Sequence, residues 1–332
     1  MKAAVVGRGA WGTALALRLC KNGHDTSLWC RDPEDAKKMI QSRDNPRLPG
    51  VSLPKELKIT GDPACVAGCE LVVLASPSFP IRSVCQTVAP WLEKDAVVVS
   101  VTKGIEPGTL LRMSQIVREE TGHDVVALTG PSHAEEVARN IPTGCLAASP
   151  DRKKAEFVQD AFMSDTFRVY TSPDIVGAEL GGALKNVIAL CAGVCDGLGY
   201  GDNTKAMLMT RGLTETARLG ASLGAQKDTF AGLAGIGDLI VTCTSMHSRN
   251  RRAGILIGQG MTPENAMKEV GAVVEGYYAT RSAWELSRSC GVEMPIVRAA
   301  YQVLYEGMPA REAVHELLLR QRKAEPEDAG WL

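Results

Sequence analysis

The sequence predicts a doubly wound α/β sheet in its first half and an all-α domain in its second. Three observations carry this. Short Val-, Ala- and Leu-rich runs alternate with helical patterns as far as residue 174. A Gly-x-Gly-x-x-Gly turn (Gly7, Gly9, Gly12) follows the first of these runs and opens a helix. Beyond residue 174 the β-rich runs disappear and long amphipathic helical patterns replace them. Length agrees, because 332 residues suggest about two domains. The expected division is a Rossmann-like dinucleotide-binding domain over 1–175 and a helical substrate domain over 176–332.

Residues 2–6 read as the first strand, Thr13–Asn22 as a helix stopped by Gly23, and Thr26–Cys30 as the second strand, together a βαβ unit. Further strands are expected at Leu71–Ala75, Val97–Thr102, Val125–Thr129, Cys145–Ala148 and Arg168–Tyr170. Helices are expected between them over 80–92, 108–121, 132–139 and 152–163, an alternation that implies a parallel sheet. Later helical patterns cover 174–196, 204–223, 249–259, 263–270, 275–289, 295–305 and 309–322, and the polar residues 323–332 are expected to fray.

Composition narrows the function. Hydrophobic residues are 45% and charged residues 23%, as in ordinary globular chains. A net charge of −1 without a long basic block excludes a nucleic-acid footprint. No stretch approaches the ~20 apolar residues that span a bilayer, and the N-terminus runs straight into a strand rather than a signal peptide. Most of the ten cysteines (Cys20, Cys30, Cys85, Cys145 and Cys191 among them) stand in apolar runs. No CxxC pair is present, and Cys65 and Cys69 lack partners for zinc. A reduced, cytoplasmic, metal-free protein is expected.

One lysine stands out. Between Glu179 and Asp196 the chain reads LGGALKNVIALCAGVC, where Lys185 is the only ionisable group besides two thiols. Leu180, Leu184, Val187, Ile188 and Cys191 recur at helical spacing, so the segment is a core helix. An ammonium is costly there, and desolvation lowers its pKa toward the range useful for proton transfer. A lysine that snorkels to the surface or meets a structural carboxylate explains the pattern equally well.

The glycine turn has a physical cause. It allows a tight turn, close approach of backbone to a pyrophosphate, and tight packing of helix on strand, with the anion on the helix N-terminus. An NAD-specific site carries an acid at the end of the second strand. Here Leu28-Trp29-Cys30-Arg31-Asp32 puts Cys30 at that position, and Arg31 suits a 2′-phosphate. NADP is therefore preferred, with NAD also accepted. The alternative is that Arg31 is merely solvated and Asp32 caps a helix begun at Pro33.

Three stretches carry polar groups a core would not choose. Lys103 follows an apolar strand, at the carboxyl edge where open α/β sheets bind ligands, although by itself an ordinary exposed lysine at a strand exit explains it better. In Gly130-Pro131-Ser132-His133-Ala134-Glu135-Glu136, the pair Ser132 and Glu135 reads as a capping box opening a helix at the same edge, with His133 solvated or behind its neighbours. After the glycine-rich run 231–237, Asp238 is a candidate partner for a buried lysine. Arg249 and Asn250 have the donors to clamp a phosphate, although three arginines opening a helix also suit a solvated face.

These stretches closely resemble the NAD(P)-dependent sn-glycerol-3-phosphate dehydrogenases of the bacterial type. The matching segments are GRGAWGTALA (7–16), TKGIE (102–106), GPSHAEEVA (130–138), ELGGALKNVIAL (179–190), GIGDLIVTCTS (235–245), SRN (248–250) and VVEG (273–276), in order over nearly the whole chain. The resemblance implies an active site between the two domains, a homodimer, and reversible reduction of dihydroxyacetone phosphate to sn-glycerol 3-phosphate for phospholipid synthesis. It puts Lys185 on the family's proton donor, Lys103 on a second lysine near the carbonyl and cofactor, and Asp238 beside them. Gly130, Ser132, Asn186, Thr242, Ser248, Arg249 and Asn250 fall on substrate-site positions. Gly7, Gly9, Trp11, Gly12, Arg31, Lys103, Ala134, Arg249, Val273 and Glu275 fall on the cofactor side. Two features depart from the family: the loop 45–50 lacks the usual aromatic before Leu-Pro-Gly, and Arg8 is a less usual filler of the glycine turn. A two-domain dehydrogenase of another hydroxy substrate and a non-catalytic dinucleotide sensor share this architecture. The run from Asp238 to Asn250 argues against the first, and the retained lysines argue against the second.

Overall fold

The computed structural model describes residues 1–322 and 324–325, so the terminus expected to fray lies mostly outside the described residues. The first half runs β1 (Lys2–Val6), α1 (Ala10–Lys21), β2 (Asp25–Trp29), α2 (Pro33–Ser42), β3 (Lys58–Thr60), β4 (Leu71–Leu74) and α3 (Ile81–Val88). It continues with β5 (Val97–Ser100), α4 (Met113–Thr121), β6 (Val125–Thr129), α5 (Ala134–Ala138), β7 (Thr143–Ala148), α6 (Arg152–Phe162) and β8 (Phe167–Ser172). The second half is helical: α7 (Ile175–Gly197), α8 (Asp202–Ser222), α9 (Lys227–Phe230), a π-helical turn at Leu233–Gly237, and α10 (Asp238–Thr244). The remaining helices are α11 (Arg249–Gly258), α12 (Pro263–Val270), α13 (Glu275–Ser289), α14 (Pro295–Tyr305) and α15 (Ala310–Leu318).

The eight strands form one sheet in the order β3-β2-β1-β4-β5-β6-β7-β8. Val5 at its centre faces Leu28 on one side and Val73 on the other, both in parallel register. Alternate residues feed opposite faces. Val5, Val73 and Val99 pack with Leu15 and Leu19 of α1, whereas Val6, Leu74 and Val98 pack with α3 and α4. A sheet covered on both faces needs strands that are apolar throughout, as these are.

The sheet departs from the expected all-parallel pattern at β7, which runs antiparallel to β6 with Ala127 opposite Ala148. The reason is the length of α5. Five residues rise only ~7.5 Å, too little to carry the chain back along β6, so β7 starts near the edge where β6 ended. The helix expected over 108–121 begins only at Met113. Pro107-Gly108 precede it, and Leu110 takes a left-handed φ of 60° as Ile105 pairs back to Arg112. The helix expected to reach 92 ends at Val88 before Pro90.

Helix α7 is the axis of the second half, and nearly every residue from Gly177 to Cys195 is buried. Contrary to expectation, its 23 residues are long and apolar enough to cross a membrane by length and composition. However, 78% of that window is buried inside the protein, as in the core helix of a folded domain. Helix α11 lies directly on it. A Cβ on Gly193 would stand 2.1 Å from Arg251 O, and one on Gly254 would stand 2.0 Å from Leu190 O. Backbone therefore meets backbone, which only glycine permits. This contact brings Asn186 of α7 beside Asn250 of α11.

Candidate active site

The carboxyl edge of the sheet faces α7 and α10. Lys103 follows β5, and Asp238 opens α10. Lys185, in the middle of α7, is 8% exposed and lies against the same carboxylate. Asp238 bridges both lysines: Oδ1 lies 2.7 Å from Lys185 Nζ and Oδ2 lies 2.5 Å from Lys103 Nζ. Lys185 also donates to Thr242 Oγ1 at 2.7 Å, and Lys103 donates to Gly130 O at 3.3 Å. Thr242 in turn donates to Asp238 O at 2.6 Å, one helical turn back.

The electrostatics follow from burial. Desolvation pushes the Lys185 ammonium down to about 8; Asp238 opposes this and Lys103 adds to it. Burial alone raises the Asp238 carboxyl, but two ammoniums at contact distance overcome it and hold the group below its ordinary value. The cluster is therefore two cations sharing one largely buried anion, with net positive charge. Lys103, with its side chain 21% exposed, is the more accessible cation.

Around the bridge, α11 begins at Arg249 with Ser248 as its N-cap, whose Oγ accepts from Arg251 N at 3.2 Å. Arg249 is exposed. Asn250 is buried, and its amide is committed elsewhere: Oδ1 accepts from Gly276 N at 2.8 Å, and Nδ2 donates to Asn186 Oδ1 at 3.0 Å. Asn250 and Asn186 thus lock α7, α11 and α13 together, leaving Arg249 as the exposed donor at the start of α11. The capping box expected at Ser132 and Glu135 does not form. The N-cap of α5 is His133, and Ser132 Oγ instead donates to Gly130 O at 3.0 Å. The helix starts one residue too late for Ser132 to reach its first-turn amides. Among side chains the sequence left unused, His133 lies near Lys185, its pKa lowered first by burial and then by that ammonium. Its Nε2 and the Thr129 hydroxyl are buried without a partner among the described residues.

The glycine turn suits a dinucleotide. Gly7 has φ of 123°, and a Cβ there would stand 2.6 Å from Ala75 O; one on Gly12 would stand 2.1 Å from Gly7 O. A Cβ on Gly9 would meet nothing within 4 Å. The first and third glycines are thus required by packing, while the second faces open space. Gly9 N-caps α1 with no side chain taking its first amides, which leaves those donors for an anion. Trp11 stands in that first turn and Ala134 is buried at the start of α5.

At the end of β2, Arg31 is exposed, and burial pushes the Cys30 thiol up to about 11, so no anion stands where the acid of an NAD site would be. Asp32 does cap α2, accepting from Glu34 N at 2.9 Å, so this part of the alternative reading holds alongside an available Arg31. Arg8 pairs with Asp35, and Asn45 ties the 45–50 loop to the turn through Arg8 O and Thr13 Oγ1. From the second half Val273 is exposed, and Glu275 accepts from Ser78 N at 3.3 Å and Ser78 Oγ at 2.5 Å. Neither Ser78 nor Asn45 was singled out from the sequence. Ser78 could have been found from its place just beyond an apolar strand at the ligand edge.

Residues 2–155 and 174–315 match the N-terminal and C-terminal family models of NAD-dependent glycerol-3-phosphate dehydrogenase. A protein of Thermoanaerobacter sp. strain X514, named glycerol-3-phosphate dehydrogenase (NAD(P)+), is 52% identical over 326 residues, covering 98% of this chain and 99% of its own length. One of the same name from Moorella thermoacetica is 53% identical, covering 99% and 98%. The crystal structure of a glycerol-3-phosphate dehydrogenase from Coxiella burnetii has a TM-score of 0.92 at 36% identity, covering 96% of this chain and 99% of that one. With the sheet, the glycine turn and the lysine helix all matched along its length, this chain belongs to the NAD-dependent glycerol-3-phosphate dehydrogenase family.

Proposed function

We propose that the chain catalyses the reversible reduction of dihydroxyacetone phosphate to sn-glycerol 3-phosphate with NADPH or NADH, supplying a backbone for phospholipid synthesis. The observation that carries this is the Lys103–Asp238–Lys185 bridge. Ketone reduction needs a proton for the developing alkoxide and positive charge to stabilise it. Lys185, its pKa lowered to about 8, gives the proton. Lys103 polarises the carbonyl, and Asp238 orients both ammoniums without becoming protonated. The bound nicotinamide supplies the hydride.

Arg249 holds the phosphate, assisted by the first-turn amides of α11 that its N-cap does not use. Binding energy from that remote group positions the reacting carbon. Arg31 at an edge without an acid favours the 2′-phosphate of NADP, and Gly7, Gly9 and Gly12 receive the pyrophosphate. In the same reading, residues 1–175 form the dinucleotide-binding domain and 176–332 the substrate domain. The family resemblance supports a cytoplasmic homodimer. The test is the absorbance of NADH or NADPH, each assayed separately with dihydroxyacetone phosphate. Oxidation of both, faster with NADPH, is expected; no oxidation of either overturns the proposal.

A further inference from the structure

A cleft of about 420 Å³ opens beside α1, and none of its lining residues belongs to the lysine bridge or the glycine turn. Leu17, Val51 and Val137 form an apolar wall, and Arg18, Lys21 and Asn140 also line it. The charges there are unbalanced. Arg18 is 3% exposed, yet its guanidinium donates only to neutral oxygens: Ser164 Oγ at 2.9 Å, Asn140 Oδ1 at 3.1 Å and Thr166 Oγ1 at 3.1 Å. Its buried Nε meets no acceptor among the described residues. Lys21 Nζ donates to the same Asn140 Oδ1 at 2.9 Å. Two cations therefore converge on one neutral amide oxygen. Buried charges are ordinarily paired, and the C-terminus of α1 offsets only about half a charge. Glu56 lines the cleft but is exposed, and Asp165 acts on Arg18 only through space.

We infer that this cleft binds a small organic anion, a phosphate or carboxylate with a short apolar body. Arg18 and Lys21 take the charge, and Leu17, Val51 and Val137 take the body. Such a ligand touches both supports of the cofactor end. Asn140 closes the turn after α5, which begins at Ala134. Val51 continues the loop that Asn45 ties to Arg8 and Thr13. Occupancy of the cleft is thereby coupled to dinucleotide affinity, and the coupling is reciprocal.

The experiment is calorimetric titration of the full chain with phenyl phosphate, in wild type and in Lys21→Glu, Ala138→Trp and Arg249→Ala. Lys21 is exposed, so reversing its charge leaves the fold intact, whereas Ala138→Trp fills the cleft. Binding is expected to survive Arg249→Ala and to weaken at least about tenfold in Lys21→Glu and Ala138→Trp. Saturating phenyl phosphate should also shift the NADPH Kd about threefold or more in wild type but not in Lys21→Glu. Equal binding by wild type and Lys21→Glu overturns the site, as does the absence of wild-type binding up to about 10 mM. Loss in Arg249→Ala alone places the probe in the substrate cleft and also overturns it. An NADPH Kd that phenyl phosphate leaves unchanged overturns the coupling.

Discussion

Replacing Asp238 with asparagine removes the one anion that buried Lys185 and part-exposed Lys103 share, so its effect can be worked out from the geometry. Lys185 Nζ lies 2.7 Å from Oδ1. Even at the dielectric constant of bulk water, unit charges that close interact by ~1.5 kcal/mol, or about one pKa unit. This is a floor, because Lys185 and Asp238 are buried and the effective dielectric there is below that of water. The Asp238 charge raises the Lys185 pKa, so its loss must push that pKa below its present value of about 8. Ketone reduction uses the ammonium form, so activity falls as pH rises through that pKa. The alkaline limb of kcat/KM for dihydroxyacetone phosphate should therefore move at least about one unit toward acid in Asp238→Asn. Breaking a buried pair by removing one partner also costs about 3 kcal/mol or more, which lowers Tm by roughly 6–12 °C for a domain of this size. The assay is the pH profile of NADPH oxidation, with calorimetric Tm measured beside it. A limb that stays in place, or that moves toward alkali, would falsify the bridge as the source of the Lys185 pKa.

Other outcomes follow from single contacts. Lys185→Met should bind cofactor normally in fluorescence titration yet lose about 10²–10⁴ in kcat; near-normal turnover removes it as the proton donor. Arg249→Ala should lower kcat/KM for dihydroxyacetone phosphate mainly through KM, and an unchanged value ends the phosphate assignment. Gly254→Ala would put a methyl 2.0 Å from Leu190 O, so α7 and α11 must separate and thermal stability should drop by a few kcal/mol; an unchanged Tm contradicts the backbone contact. Glu215, buried beneath α14 and accepting from Ile296 N at 2.9 Å, is pushed by burial up to about 7. A carboxyl raised on folding contributes stability at low pH that is lost as pH rises. Wild-type stability should therefore fall between about pH 4.5 and 7, by up to roughly 3 kcal/mol, and Glu215→Gln should flatten that slope in denaturant melts.

Local requirements were readable from the chain. Gly7, Gly9 and Gly12 announce themselves because a turn, a helix start and a strand contact each impose steric rules on neighbouring residues. Lys185 was conspicuous because a charge in an apolar helix breaks its pattern. What long-range packing decides was not readable. The partner of Lys103 is 135 residues away, and only the fold shows that Asp238 serves both lysines at once. The three-residue β3 is too short for a periodic signal, and α10 hides behind a glycine-rich run that reads as loop. Ser132 misled because a capping box is defined by spacing, whereas the start of α5 was set by the turn at Gly130-Pro131. Asn250 illustrates the same limit. Its amide suits a phosphate, but in the fold Nδ2 donates to Asn186 of α7 and Oδ1 accepts from Gly276 N of α13.

The proposed mechanism requires Lys185 to be a buried ammonium of depressed pKa that donates the proton. The most direct measurement is the ¹⁵Nζ titration of Lys185 by NMR, assigned by difference from Lys185→Met. A midpoint near 8, coinciding with the alkaline limb of kcat/KM, is the predicted result. A midpoint at or above the ordinary lysine value of about 10.4 would contradict it.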